Sequence, residues 1–484
     1  MPKLPSLRFP LLAGVLAALL LALPAGAGAS QSQTTYFEAG SSLLETRDQN
    51  KVFSQMQTLG VKALRVELSW ASVVPSAASA TKPAGVDMTN PGSYNWSLYA
   101  SALARAQSLG WPVLLTLTSP VPRWATSNKK APYTTRPDQR DFQEFMTAVG
   151  RQFGSQVAIW SIWNEPNHPA FLMPQWNSNG TPASPRIYRG LFQSGYAGLQ
   201  AAGLTHPKVL FGETAPTGFD KVNRRREGSR AFLHDVAPLA FLREALCLNA
   251  RYRRAGSCGK LQMSGVAHHA YTKAVNPHWV SAKRDDVTIG SLSRLSAALD
   301  KGARAGAIPG HLPIYLTEFG VQSFPNRELG VSVSKQAEYD AIAEHIAWSN
   351  PRVAAFSQYL LKDDPLGGRP GSSVAGGSVG FQTGLEYVSG KAKPLFASWP
   401  LPLTVSRGHG HYSLWGLVRP TTGSTKVTIL VRRHGSRSYR VLKTVTTNSR
   451  GYWALSSSTA GELWRVRWKS PQGRSYEGAP VRAY

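Results

Sequence analysis

The stretch V-A-I-W-S-I-W-N-E-P-N, Val157 to Asn167, decides how the rest of the chain is read. A run of β-branched and aromatic residues ends abruptly at Asn-Glu-Pro, so a buried strand carries a carboxylate, Glu165, to its own C-terminal tip. In a parallel barrel that tip is where chemistry sits. Taken alone, Glu165 reads as merely the first polar residue after a core strand. It is not alone. Asn164 can hydrogen-bond a hydroxyl, Pro166 ends the strand without a backbone donor, and a second strand, L-P-I-Y-L-T-E-F-G, ends in Glu318. Two carboxylates on two strand ends suit acid/base work on a glycosidic bond.

W-N-E-P-N at 163–167, taken with T-E-F-G at 317–320, resembles the acid/base and nucleophile motifs of the retaining glycoside hydrolases of clan A, the group that includes families 5 and 39. The resemblance implies Glu165 as acid/base after strand four and Glu318 as nucleophile after strand seven. It makes Arg65, in V-K-A-L-R-V-E-L-S-W, the strand-two arginine that supports the nucleophile, although an arginine in a strand also reads simply as an ion-pair partner. A strand-six H-x-Y, His269 and Tyr271, puts two side chains on one face, and the resemblance has Tyr271 hydrogen-bond the nucleophile. Asn164 is expected on the sugar 2-hydroxyl, with Trp124 and Tyr359 as further sugar contacts. At the end of strand eight the chain departs from the pattern, with Gln358 and Tyr359 where the clan usually has a tryptophan. Arg65 and Tyr271 are expected to keep Glu318 ionised, while Glu165, beside Trp163 and near a negative neighbour, holds its own proton. No metal or organic cofactor is expected. The substrate implied is a polysaccharide or oligosaccharide, cleaved by double displacement. A transglycosylase would use the same pair, and a catalytically inactive wall-glycan-binding protein is the reading from another class.

Working outward, the chain alternates strand and helix eight times. The third helix is the clearest, with Asp138 as cap, Phe142, Phe145, Met146, Val149 and Phe153 as one stripe, and Gly154 as stop. Ser184 and Pro185 open the helix after strand four, Val287 to Leu299 reads as helix six, and Ser334 as the cap of helix seven. Strand five, K-V-L-F-G-E-T-A-P, brings a third carboxylate, Glu213, to the same rim, read as structural ahead of substrate contact. The whole reads as a (β/α)8 barrel over residues 30–400. A Gly-rich loop, Gly367 to Gly380, is a lid or a plain connector.

Lys3 and Arg8 precede an apolar run from Phe9 to Leu23 and the small residues Ala25, Ala27 and Ala29, so residues 1–29 read as a signal peptide, with an uncleaved anchor as the other reading. Export to the medium or cell surface follows, with no membrane span after signal removal. The only two cysteines, Cys247 and Cys258, flank a short Arg-rich loop after Arg224, Arg225 and Arg226, and form either a local disulfide or two thiols that never meet. His268 and His269 point to opposite faces of a strand, against a joint metal site.

Residues 401–484 change character. Short alternating runs punctuated by Gly, Asn and Pro indicate an immunoglobulin-like or fibronectin-like antiparallel β-sandwich, with Trp453, Trp464 and Trp468 read as core ahead of glycan contacts. Of the net charge of +27, this segment holds 14 Lys and Arg against Glu462 and Glu477. Such a surface attracts an anionic wall polymer or stands without a dedicated partner; nucleic acid is not expected for an exported chain without a nucleic-acid module. The sandwich is expected to be dispensable for chemistry, and the protein to be a monomer.

Overall fold

The computed structural model describes residues 30, 33–44, 47–272, 276–365 and 380–484. The signal reading of residues 1–29 and nearly all of the Gly-rich loop fall outside them. Eight parallel strands close into a barrel: β1 Thr34–Glu38, β2 Leu64–Ser69, β3 Val113–Thr118, β4 Val157–Ile162, β5 Val209–Thr214, β6 Gly265–His268, β7 Ile314–Phe319 and β8 Val353–Tyr359. β8 pairs back onto β1 from Thr34↔Ala355 to Glu38↔Tyr359. The principal helices that follow these strands are α1 Gln49–Leu59, α2 Ser97–Ser108, α3 Gln139–Phe153, α4 Ser184–Ala201, α5 Pro238–Ala245, α6 Leu292–Arg304, α7 Val333–Trp348 and the short α8 Pro394–Ser398.

Strand alternation explains the interior. Tyr36, Ala63, Leu114, Ile159, Leu210, Ala267 and Ala355 meet in one buried apolar cluster inside the barrel. Two residues further along their strands, hence on the same face, stand Glu38, Arg65, Thr116, Ser161, His269 and Ser357, all buried. One step of the pleat therefore converts an apolar plug into a polar floor.

Outside the barrel, Asp138 Oδ1 accepts from the backbone N–H groups of Arg140 and Asp141 at 2.9 Å each, which starts α3 where the sequence predicts. The predicted stripe of α3 is buried, and Phe145 stacks on Trp70 with ring centres 5.2 Å apart. Burial of each such side chain contributes roughly 1.5–3 kcal/mol. α4 approaches α3 so closely that a Cβ on Gly198 would lie 2.5 Å from the Gln143 carbonyl oxygen.

Two helix boundaries differ from expectation. α6 begins at Leu292 rather than Val287, because Thr288 and Ser291 cap each other around a 3₁₀ turn, Ile289–Ser291, that satisfies the first N–H groups. α7 is capped by Ser332, not Ser334. Ser332 has the extended backbone a cap requires (φ −62°, ψ 151°), and its hydroxyl accepts from Lys335 N at 3.3 Å. Cys247 and Cys258 are bonded to each other, with Cα atoms 6.0 Å apart.

The C-terminal segment forms two antiparallel sheets. β9 Leu403–Arg407, β10 Tyr412–Leu417 and β13 Tyr452–Ser457 pair in the order 13-10-9; β11 Lys426–Arg432, β12 Arg440–Thr446, β14 Leu463–Lys469 and β15 Ser475–Glu477 pair in the order 12-11-14-15. Trp453, Trp464 and Trp468 are buried in the core of this sandwich, as the alternation predicts. The sandwich packs directly on the barrel. Arg419 donates to both oxygens of Glu344 on α7, at 3.0 and 2.8 Å, with both side chains buried, and its guanidinium lies 3.6 Å over the Trp399 ring. Beside this pair, Trp415 stacks on His345 with centres 4.8 Å apart, and Tyr452 meets Trp348. These contacts lie around α7 and the start of β1, away from the strand tips that carry Glu165 and Glu318.

Candidate active site

The C-terminal mouth of the barrel opens into a cavity of about 390 Å³ whose lining includes Glu38, Arg65, Glu67, Asn164, Glu165, Glu318 and Tyr359. Its apolar walls come from Leu43, Leu44, Phe171 and Phe381.

The turn after β4 aims Glu165. Trp163 (φ 72°) and Glu165 (φ 36°) both take left-handed backbone, which costs about 1–3 kcal/mol each, so surrounding bonds must hold them. They do: Trp163 N donates to Leu117 O at 2.8 Å, Glu165 N to Glu213 O at 3.0 Å, and the buried Trp163 indole N–H to Phe171 O at 2.9 Å. Asn167 is a clamp rather than a substrate ligand. Fully buried, it accepts from Ala215 N and donates to the carbonyls of Ala215 and Val236, tying this turn to the segment after β5.

Glu318 accepts from Tyr271 Oη at 2.6 Å and from Arg65 Nη1 at 3.3 Å. Both contacts match what the motif resemblance implies. Arg65 itself is fully buried, and its terminal nitrogens also donate to Glu38, to Glu213 at 2.6 Å and to Asn164 Oδ1 at 2.9 Å. It is thus a positioning residue, its terminal nitrogens taken up by protein groups rather than left for a substrate. By taking the amide oxygen of Asn164, it turns the amide nitrogen toward the cavity that Asn164 lines.

His269 joins the two carboxylates. Its Nδ1 lies 2.9 Å from Glu165 Oε1 and 3.8 Å from Glu318 Oε2, so those two oxygens are at most about 6.7 Å apart. Burial would discharge this imidazole, but the charge of Glu318 and the hydrogen bond that Nδ1–H donates to Glu165, with Glu213 3.7 Å away, outweigh it and raise its pKa to about 10. Burial likewise works against an ionised Glu165, and the bond to His269 with its charge overcomes that, holding Glu165 below the usual carboxylate value. These opposite shifts, His269 raised and Glu165 lowered, run against the expectation that Glu165 stores its own proton. Glu213, fully buried on Arg65 and Thr116 Oγ1 (2.8 Å), is held down at about 2 by Arg65 and His269 against its desolvation, which agrees with its structural reading.

Of the other predicted residues, Tyr359 lines the cavity and Trp124 does not. Trp124 is buried edge-on against Trp70, centres 5.9 Å apart, so its assignment as a sugar contact is corrected. His268 points away from the mouth, bonded to Thr214 Oγ1 and Val287 O. Two carboxylates escaped the sequence reading, Glu38 and Glu67. Their signal was present: Glu38 ends β1 and Glu67 follows Arg65 by two on β2, so both share the inward face near a strand tip.

No protein-family model matches this chain, and no curated protein matches it. Its fold is similar to solved structures of glycoside hydrolases. A family 39 enzyme from the gut symbiont Bacteroides cellulosilyticus WH2 is 13% identical with a TM-score of 0.49, the match covering 88% of this chain and 80% of that one. A glucosidase from Croceicoccus marinus is 10% identical with a TM-score of 0.49, covering 90% and 96%. A hyperthermophilic β-glucosidase from Pyrococcus furiosus is 12% identical with a TM-score of 0.45, covering 76% and 94%. At such values the likeness carries no argument about activity, which rests on the site itself.

Proposed function

We propose that this chain is an exported retaining glycoside hydrolase acting on a polysaccharide or oligosaccharide, with Glu165 as acid/base and Glu318 as nucleophile. The observation that carries the reading is the placing of both carboxylates against one imidazole nitrogen at the barrel mouth. Retaining pairs stand about 5–5.5 Å apart, and an upper bound of about 6.7 Å between the facing oxygens accommodates that separation.

The electrostatics support a proton cycle between His269 and Glu165. Glu318 is the largest of the influences that hold the proton on His269. As Glu318 attacks the anomeric carbon, its negative charge disappears into the glycosyl ester. His269 then becomes a stronger acid and passes its Nδ1 proton to Glu165, which protonates the departing oxygen. Glu165 is left ionised beside a neutral imidazole, ready to take a proton from the attacking water. Release of the sugar restores the charge on Glu318, and His269 recovers its proton. Asn164, its amide nitrogen directed by Arg65, donates to a sugar hydroxyl next to the reacting carbon.

The test is that the two substitutions fail differently. Glu318→Ala is expected to abolish hydrolysis, with azide restoring turnover from the vacated face. Glu165→Ala is expected to spare the first step for activated aryl glycosides and to accumulate a covalent glycosyl-enzyme seen by mass. Near-normal rates in both variants would defeat the assignment. Attachment of the basic sandwich to an anionic wall polymer belongs to the same proposal, and salt-sensitive retention of the full chain on such a polymer measures it.

A further inference from the structure

The loops at the end of the barrel opposite the mouth gather positive charge. The segment between α5 and β6 and the segment between α6 and β7 both enter their strands from the N-terminal side, far from the tips that carry Glu165 and Glu318. Leu261 N donates to Ala307 O at 2.8 Å and joins the two segments. An open cavity of about 300 Å³ lies there, lined by Arg251, Arg253 and Arg254 of the first segment, by Lys301 and Arg304 of the last turn of α6, and by Tyr252 and Ala305. The acids of the flanking elements lie outside this lining. Asp285 accepts from Arg243 at 2.7 and 2.5 Å, Asp300 accepts from Arg352 at 2.8 Å, and Glu244 sits on the last turn of α5.

The loop that presents the arginines is held in shape. The Cys247–Cys258 disulfide closes it, Ala255 N donates to Cys247 O at 2.8 Å, and Asn249 Oδ1 accepts from the backbone N–H groups of Arg251 and Arg253 at 2.9 and 3.1 Å. Arg254 fastens it to the end of α6, its guanidinium donating to Ala305 O, Gly306 O and Cys258 O at 3.0, 2.6 and 2.8 Å. Arg251, Arg253, Lys301 and Arg304 are exposed. Among the described residues the charged ends of Arg251, Arg253 and Arg304 meet no partner, and Lys301 meets the Tyr252 ring, 5.3 Å from its centre. Like charges gathered without counter-charges repel one another, and a bound polyanion relieves that repulsion.

The surroundings select among polyanions. Guanidinium forks take carboxylate oxygens in pairs. None of the exposed large apolar residues belongs to these segments, so nothing here enters a bilayer. The Tyr252 ring is engaged by Lys301 and, at 5.6 Å, by Arg243, rather than left to stack on a nucleic-acid base. We propose that this cavity is a tethering site for an acidic polysaccharide, gripping carboxylate-bearing units of the chain at the end of the barrel away from the mouth. It is separate from the basic sandwich, and polymer held there leaves the mouth open.

The test is calorimetry on the full chain with three probes: a hexamer of α-1,4-galacturonic acid, a neutral hexamer of α-1,4-glucose, and vesicles of anionic phospholipid. The acidic hexamer is expected to bind, more weakly as salt is raised. Arg251→Gln, Arg253→Gln, Lys301→Gln and Arg304→Gln together are expected to weaken it about tenfold or more. Arg433→Gln, Arg437→Gln, Arg440→Gln and Lys443→Gln remove the same charge from exposed positions of the sandwich, and are expected to change it by less than about twofold. Arg251→Gln with Arg253→Gln alone is expected to give an intermediate loss, and decides the matter should the quadruple variant not fold. Equal losses in the barrel and sandwich variants, a parallel loss for the neutral hexamer, or vesicles bound while the acidic hexamer is ignored would each overturn the proposal. So would acidic-hexamer binding that the barrel substitutions leave unchanged, a result that would not touch the glycosidase reading, which rests on Glu165 and Glu318.

Discussion

His269 decides how protons are distributed at the mouth, and its state sets how the protein responds to pH. Raised from 6.5 to about 10, it contributes stability in full below about pH 6.5 and loses it as pH climbs through 10. Glu38 and Glu67, lifted from 4.5 to about 7 and about 8 chiefly by desolvation, act in the same direction, because the folded chain keeps protons that the unfolded chain has released. Glu213, held at about 2, adds stability above its unfolded value of 4.5 that is lost only as pH falls through 2. The melting temperature is therefore expected to fall between about pH 6 and about pH 9. His269→Asn should flatten part of that slope and move the alkaline limb of kcat/KM downward, because Glu165 then titrates without its partner. A melting temperature that rises over this interval would contradict the assignment of the proton to His269.

At the scale of elements, the turn after β4 and the cap of α3 bear different loads. Asn167 bridges two segments through three hydrogen bonds in a fully buried setting. Asn167→Ala strands a backbone N–H and two carbonyls, so a loss of about 2–4 kcal/mol in urea unfolding is expected, with kcat reduced because the left-handed backbone at Glu165 loses its clamp. Asp138→Ala removes two exposed cap bonds from α3 and should cost only about 1 kcal/mol, with kcat unchanged. Equal effects of the two on stability and rate would mean that the turn is held by its neighbours rather than by Asn167.

Across the whole molecule, the Arg419–Glu344 pair joins sandwich to barrel, which argues against the expectation that the sandwich is dispensable. Removing residues beyond Leu401 would strip Glu344 of its cation and uncover the faces of His345, Trp348 and Trp399 that Trp415, Tyr452 and Arg419 pack against. Such a shortened chain is expected to lose its cooperative unfolding transition and, with it, turnover on aryl glycosides. Arg419→Ala in the full chain isolates the electrostatic part and should cost about 3–5 kcal/mol, since an unpaired buried carboxylate remains. Full activity from the shortened chain would show that the barrel stands by itself.

The eight-fold alternation, the sandwich, the cap at Asp138 and the strand tips bearing Glu165 and Glu318 were legible in the sequence, because pleat and helix periods are local and a strand end is marked where its apolar run stops. The contact of Tyr271 with Glu318 was legible only through the motif resemblance. What the chain order left open is distance. Glu38, Glu213 and Glu318 lie on three strands other than that of Arg65, and only closure of the barrel brings them around its guanidinium. Trp124 was misread because an aromatic residue just past a strand packs inward or lines a rim according to its neighbours, here Trp70. The proton on His269 was invisible for the same reason. A pKa is the sum of burial and the charges nearby, and tertiary structure alone determines both.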